Sequence, residues 1–253
     1  MSEDIQHILK NWNYDPAQDI MVRLINGDDG KPKIQMRIDM GLIQMELDSN
    51  PAGENPEGFE SWLEYYEDKQ KQYESSNVND YYSLSSEEFI KLRREGVQYY
   101  YRYLSLMELE DFERVVRDTD RNLRLFAFVK KYASSEMDRW ALDQFRPYVI
   151  MINARANAAL ALREDPASGI DKAIEFFDFG IGSIIDFYKE YGLSSEIDNS
   201  IELSVLKALK SEFLRKSPET LQEKLQKAIR EERFEDAALI RDKIRTKRKD
   251  KNK

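Results

Sequence analysis

Near the C-terminal end, Leu221, Leu225, Ala228 and Ile229 recur at helical spacing, and beyond a short polar break Phe234, Ala237, Ala238, Ile240 or Arg241, and Ile244 trace a similar stripe. This pattern predicts two amphipathic helices over residues 218–247 that bury their stripes against each other as an antiparallel hairpin. The small side chains of Ala228, Ala237 and Ala238 allow a close approach, and each helix is too short to be stable in water unless it is packed. At the other end of the chain the period changes. Ile34, Met36 and Ile38 alternate with Gln35, Arg37 and Asp39, the signature of a strand, and the preceding Asn26-GDDGKP carries the glycines, aspartates and proline of a hairpin turn. Gly41 shifts the phase before Leu42, Ile43, Met45 and Leu47, which predicts a bulge or a break and then a third short strand.

Residues 1–50 therefore read as a small β-hairpin module with one face covered by helix. Residues 51–84 read as a connector, rich in turn residues at Asn50-PAGENPEGFE, followed by an aromatic-rich helix from Phe59 to Tyr73 and a second break beginning at Asn77. Ser85 or Ser86 is placed as a helix N-cap, with Glu88 available for a capping box. From there to residue 215 nearly everything has helical periodicity. Leu106-MELED recurs as Leu160-ALRED, and Lys130-KYA as Lys189-EYG. The recurrence predicts two helical hairpins of similar design, stacked in sequence in the style of a tetratricopeptide array but with a longer period. An ordinary bundle with shared composition is the alternative. The fold class expected is mainly α, or α+β overall.

Composition agrees with this reading. The chain has 253 residues, 41% hydrophobic and 34% charged, with only 10 Gly and 7 Pro, a balance that favours helices with ion-rich faces. Cysteine is absent, which removes disulfides and thiolate zinc sites and fits a reducing cytoplasm. The start, MSEDIQHILKNWNYD, lacks the basic and apolar regions of a signal peptide. Charge interrupts the most apolar windows, Pro147-YVIMINA and Ala173-IEFFDFGIGSIIDFY, well before the roughly 20 residues that a bilayer requires, so no membrane contact is expected. The net charge of −9 is uneven: residues 216–253 hold 13 Lys and Arg against 8 Asp and Glu, a net of +5, leaving −14 on residues 1–215. The body repels nucleic acid. The basic tail, residues 248–253 at the end of Arg245-TKRKDKNK, is either a frayed solubilising terminus or a contact for phosphates.

The order Leu-x3-Leu-x2-Ala-x5-Phe-Glu-x-Ala-Ala-x2-Arg-Asp-x-Ile over Leu221–Ile244 resembles the UvrB/UvrC, or UVR, motif. In that family the motif is a protein–protein contact module without catalysis, found in excision-repair subunits and in some chaperone ATPases and their adaptors. The resemblance implies that Phe234 is an aromatic anchor beside the turn, Ala237 and Ala238 a close-contact surface, and Arg241 with Asp242 a polar rim. Some UVR-bearing adaptors carry zinc-binding cysteines, which this chain lacks. No Gly-x4-Gly-Lys-Ser/Thr loop occurs anywhere, so the repair ATPase that bears the motif is not reproduced here.

Candidate chemistry elsewhere is sparse. His7 is the only histidine, too few for a metal set, and no Gly-x-Ser-x-Gly elbow exists for a triad; it reads as a surface residue of a short helix. Among the 48 carboxylates, Glu108, Glu110, Asp111, Asp118 and Asp120 fall where a solvated helix face would put them, and Glu164 with Asp165 precedes Pro166 at a turn. Paired carboxylates leave an acid-dependent hydrolase as a third class of function. Tyr99 and Tyr103 share a helix face, and with Asn153, Arg155 and Asn157 on a later helix they form a candidate peptide groove; packing between helices is the competing role. The leading expectation is a cytoplasmic, non-enzymatic adaptor, without catalytic residues, cofactor or metal. It docks a protein partner, or a second copy of itself, through Leu221, Leu225, Ala228, Phe234, Ala237, Ala238, Arg241, Asp242 and Ile244. The runner-up is an accessory factor of nucleotide excision repair that contacts UvrB/UvrC-type proteins, or DNA through its tail.

Overall fold

A computed structural model describes residues 4–18, 20–76, 81–165, 169–216 and 221–250. The chain is mainly α, with a small antiparallel sheet near its start, and it divides into two compact units, Met1–Lys210 and Ser211–Lys253. Asn77 and Pro166 lie outside the described residues.

After a short helix α1 (Gln6–Lys10), which carries the exposed His7, come β1 (Met21–Asn26), β2 (Pro32–Ile38) and β3 (Gly41–Glu46), in the order β1-β2-β3. The predicted hairpin forms where expected, with Val22 opposite Met36 and Leu24 opposite Ile34. Gly30 has a φ of 75°, a left-handed conformation that closes the loop at little cost only without a Cβ. Gly41 marks a break and not a bulge: it opens β3 after a two-residue turn, opposite Ile38. The Arg37 guanidinium holds that turn by donating to the carbonyls of Asp39 (2.9 Å) and Gly41 (2.8 Å).

Ile34, Met36 and Met45 are buried on the apolar face, which is met by α3 (Ser86–Glu108). Helix thus covers one face as expected, and the other face is covered as well. Gln35 and Arg37, on the opposite face, are also buried. The N-terminal segment covers them: Arg37 Nε donates to the Trp12 carbonyl at 3.0 Å, Arg23 lies over the Trp12 ring at 4.3 Å, and Arg37 lies over Tyr14 at 5.7 Å. A ladder Arg23–Gln35–Gln44 pairs the polar side chains across all three strands, so none of these buried groups is left unsatisfied.

The connector turns through a 3-10 segment (Pro56–Gly58), which delays α2 (Trp62–Ser76) beyond the expected Phe59. Ser85 caps α3 in a complete capping box with Glu88. The helical body then follows the repeat read from the sequence. Helix α3 and α4 (Phe112–Tyr132) form one hairpin whose corner is Leu106-MELED, and α6 (Arg146–Glu164) and α7 (Gly169–Glu190) form the second, with Leu160-ALRED closing α6. A short α5 (Glu136–Asp143) joins them, and α4 packs against α6. Glycine sets the closest helix contacts. A Cβ on Gly96 would stand 2.9 Å from Leu125, and one on Gly180 would stand 2.9 Å from Leu206 of α8 (Ile201–Lys216) and 3.0 Å from Ala154 of α6.

Sheet, connector and helical body fall in one unit, although the sequence divides them at residues 50 and 84. The reason is a buried ionic network. Arg102 of α3 makes a two-pronged pair with Asp118 of α4 (2.6 and 2.9 Å) and donates to the carbonyls of Glu46 (3.2 Å) and Ser49 (2.7 Å). The Glu95 carboxylate accepts from the backbone amides of Trp62 (2.7 Å) and Leu63 (3.3 Å) and from Arg121. Arg114 and Arg117 both hold Asp48, just beyond β3. Among the described residues, no helix is long and apolar enough to cross a membrane.

Candidate protein-contact hairpin

The second unit contains α9 (Leu221–Arg230) and α10 (Phe234–Asp250), the hairpin that the apolar stripes predict. Its corner is a Schellman turn: Glu232 N donates to the Ile229 carbonyl (3.1 Å) and Arg233 N to the Ala228 carbonyl (2.8 Å), with Glu232 at a φ of 56°. Two orphan carbonyls of α9 are thereby satisfied, and the chain reverses within three residues.

Among the described side chains of the hairpin, only Ala228 and Ala237 are buried, while Leu225 and Ile240 are half-buried. Ala237 and Ile240 are three residues apart on α10, so they define an inner seam; Ile244 continues that spacing. The side chains of Leu221 and Ile244 lie outside the described residues, as do Pro218 and residues 251–253 of the basic tail. Phe234, Ala238 and Arg241 follow at i, i+4 and i+7 on another face, and all three are exposed.

The seven of the nine expected contact residues whose side chains are described divide into two sets. The alanine pair Ala228–Ala237 holds the hairpin together. Phe234, 66% exposed, does not; neither does Ala238, nor Leu239 or Ile229, which sequence reasoning did not assign to a contact surface. Arg241 and Asp242 stand 3.5 Å apart, each about two-thirds exposed, and a pair so hydrated between neighbouring residues contributes little to stability.

The other candidate residues sit in packed surroundings. Tyr99 and Tyr103 are buried, at 5% and 1% exposure, and Tyr99 borders a surface pocket that Arg117, Arg121 and Arg124 also line. Tyr99 lies between the guanidinium groups of Arg102 (4.8 Å) and Arg121 (4.0 Å). Asn153 donates to Thr119 Oγ1 and Asp120 Oδ1, both at 2.8 Å, and Asn157 donates back to the Asn153 carbonyl at 3.1 Å. Arg155 is half-buried.

Asp118 is not on a solvated face: it is fully buried, because Arg102 reaches it from the neighbouring helix. Burial raises the pKa of Asp120, and the Asn153 hydrogen bond opposes that shift. Glu95, unremarked in the sequence, is the second buried acid of the network. Its only sequence signal is a charged residue three positions from Leu92 on the apolar face of α3.

Residues 217–250 match the UvrB/uvrC motif family, UVR. No curated protein and no solved structure matches the chain. The C-terminal hairpin is thus a UVR motif, a device for protein or DNA interaction, carried on a helical body with an N-terminal sheet.

Proposed function

We propose that this chain is a non-enzymatic adaptor of the cytoplasm that docks another protein through the outward face of its UVR hairpin. The observation that carries the reading is the division of the motif: Ala228 and Ala237 close the seam, while Phe234, Leu239 and Ile229 remain half or more exposed beside the corner. An Ala–Ala seam buries little apolar area. Covering one large apolar side chain contributes about 1.5–3 kcal/mol, so most of the burial open to this hairpin is offered to a partner. Aromatic side chains, Phe included, are enriched in protein interfaces relative to the rest of a surface.

The test is capture of partners on the full chain and on Phe234→Asp, with light scattering of both for self-association. Loss of a bound protein, or of a dimer, in the variant supports docking through the hairpin. Retention of the same partners and the same mass by both proteins refutes it. Salt-sensitive binding of duplex DNA that disappears when residues 245–253 are removed would instead favour the excision-repair accessory role.

A further inference from the structure

The corner of the UVR hairpin has an internal counterpart. Glu110-Asp111-Phe112-Glu113-Arg114-Val115-Val116 turns α3 into α4, and Glu232-Arg233-Phe234-Glu235-Asp236-Ala237-Ala238 turns α9 into α10. The same pair of backbone bonds closes both. Glu110 has a φ of 55°, its N–H donates to the Met107 carbonyl (3.2 Å), and Asp111 N donates to the Leu106 carbonyl (2.9 Å), which repeats the bonding at Glu232 and Arg233. The buried pairs correspond too, Leu106 with Val115 and Ala228 with Ala237.

In the body this corner holds an arginine. Arg163, near the end of α6, donates through Nη1 to the Glu110 carbonyl (2.8 Å) and through Nη2 to Glu110 Oε2 (3.0 Å), and its guanidinium lies 4.5 Å from the centre of the Phe112 ring. The hairpin corner presents the same three groups, with the carboxylate and the ring unfilled and the carbonyl holding one bond. Among the described residues the Glu232 carboxylate has no partner, and the Phe234 ring makes no ring contact and is 66% exposed. The Glu232 carbonyl accepts from Phe234 N at 3.0 Å and keeps a second lone pair. Arg233 is taken up by Glu231 and Asp236.

We infer that the Glu232–Phe234 corner is a receptor for an arginine of the docked protein, held as Arg163 is held at Glu110–Phe112. The inference rests on the docking role proposed above and specifies the chemistry of the partner: an exposed arginine near a helix C-terminus, where its charge also complements the helix dipole. Lysine is a poor substitute. A carbonyl and a carboxylate side by side match the planar two-pronged guanidinium, which also stacks on the ring, whereas an ammonium is a hydrated point charge.

The experiment is a titration of the isotope-labelled full chain with N-acetyl-arginine methylamide, followed through backbone amide shifts, with the lysine analogue as control. Saturable shifts at Glu232, Arg233 and Phe234, with a Kd on the order of 10 mM, are expected. They should be several-fold weaker for the lysine analogue and absent in Glu232→Gln, whose remaining amide spectrum reports that the fold is intact. Absence of saturable shifts at those amides, equal binding of the lysine analogue, or unchanged binding by Glu232→Gln overturns the inference. A corner that ignores arginine while Phe234→Asp still loses its partner refutes the arginine receptor alone. A corner that binds arginine while Phe234→Asp keeps every partner refutes the docking role and leaves the arginine site standing.

Discussion

Asp118 and Arg102 show how much single residues carry in this body. Both are buried, and the guanidinium is satisfied by two carboxylate oxygens and two backbone carbonyls. Taking two charges out of water costs several kcal/mol each, which good geometry offsets, but deleting one partner leaves the other charge buried alone. Asp118→Ala should therefore lower stability by about 3–5 kcal/mol in urea unfolding, and Arg102→Met combined with Asp118→Leu should recover much of the loss. A cost below about 1 kcal/mol for Asp118→Ala would show that water and the carbonyls of Glu46 and Ser49 satisfy Arg102 without the pair. At this scale the sequence is a poor guide: Asp118 looks like any other acid on a charged helix until α3 brings Arg102 to it.

At the scale of elements, corners and crossings decide which helices meet. Three corners end in the same pair of bonds, at Glu110, Gly192 and Glu232, and only one of them uses the glycine that such a position favours. Glycine is used instead where helices cross. Gly180→Leu should destabilise the body by about 1–3 kcal/mol, because its side chain would enter the space held by Leu206 and Ala154. Gly182→Ala, on the same helix with nothing within 4 Å of the new Cβ, should gain up to about 1 kcal/mol from helix propensity. Thermal unfolding of the two variants gives shifts of opposite sign if α7 is packed through Gly180; equal shifts would contradict that packing.

For the first unit as a whole, acidic and basic residues fasten the sheet and connector to the helices. The Arg114 hydrogen bonds, with Arg117 adding to them against partial burial, hold the Asp48 carboxyl at about 2, below its ordinary value of 3.8. A depressed carboxylate contributes stability above its unfolded pKa and loses that contribution as pH falls through the folded one. Stability should therefore decline between about pH 4 and pH 2, and Asp48→Asn should flatten that part of the curve, though by a small amount because the side chain is 58% exposed to screening. Denaturant midpoints across this pH range provide the check; identical slopes for both proteins would remove Asp48 from the acid response.

Sequence alone determined the features that depend on neighbours along the chain. The alternation in Ile34, Met36 and Ile38, the turn at Asn26-GDDGKP, the Ser85 cap, the repeated helical hairpins and the UVR hairpin are all local, because strand and helix periods are written in consecutive residues. Only the tertiary structure decided which charges are interior, because burial depends on residues distant in sequence. Glu95, Arg102 and Asp118 went inside with their partners, the polar face of the sheet was covered by Trp12 and Tyr14, and Tyr99 and Tyr103 were buried. The UVR stripe shows the same limit: spacing identified its apolar positions, but the facing of α9 and α10 determined that Ala237 closes the seam and Phe234 is left exposed.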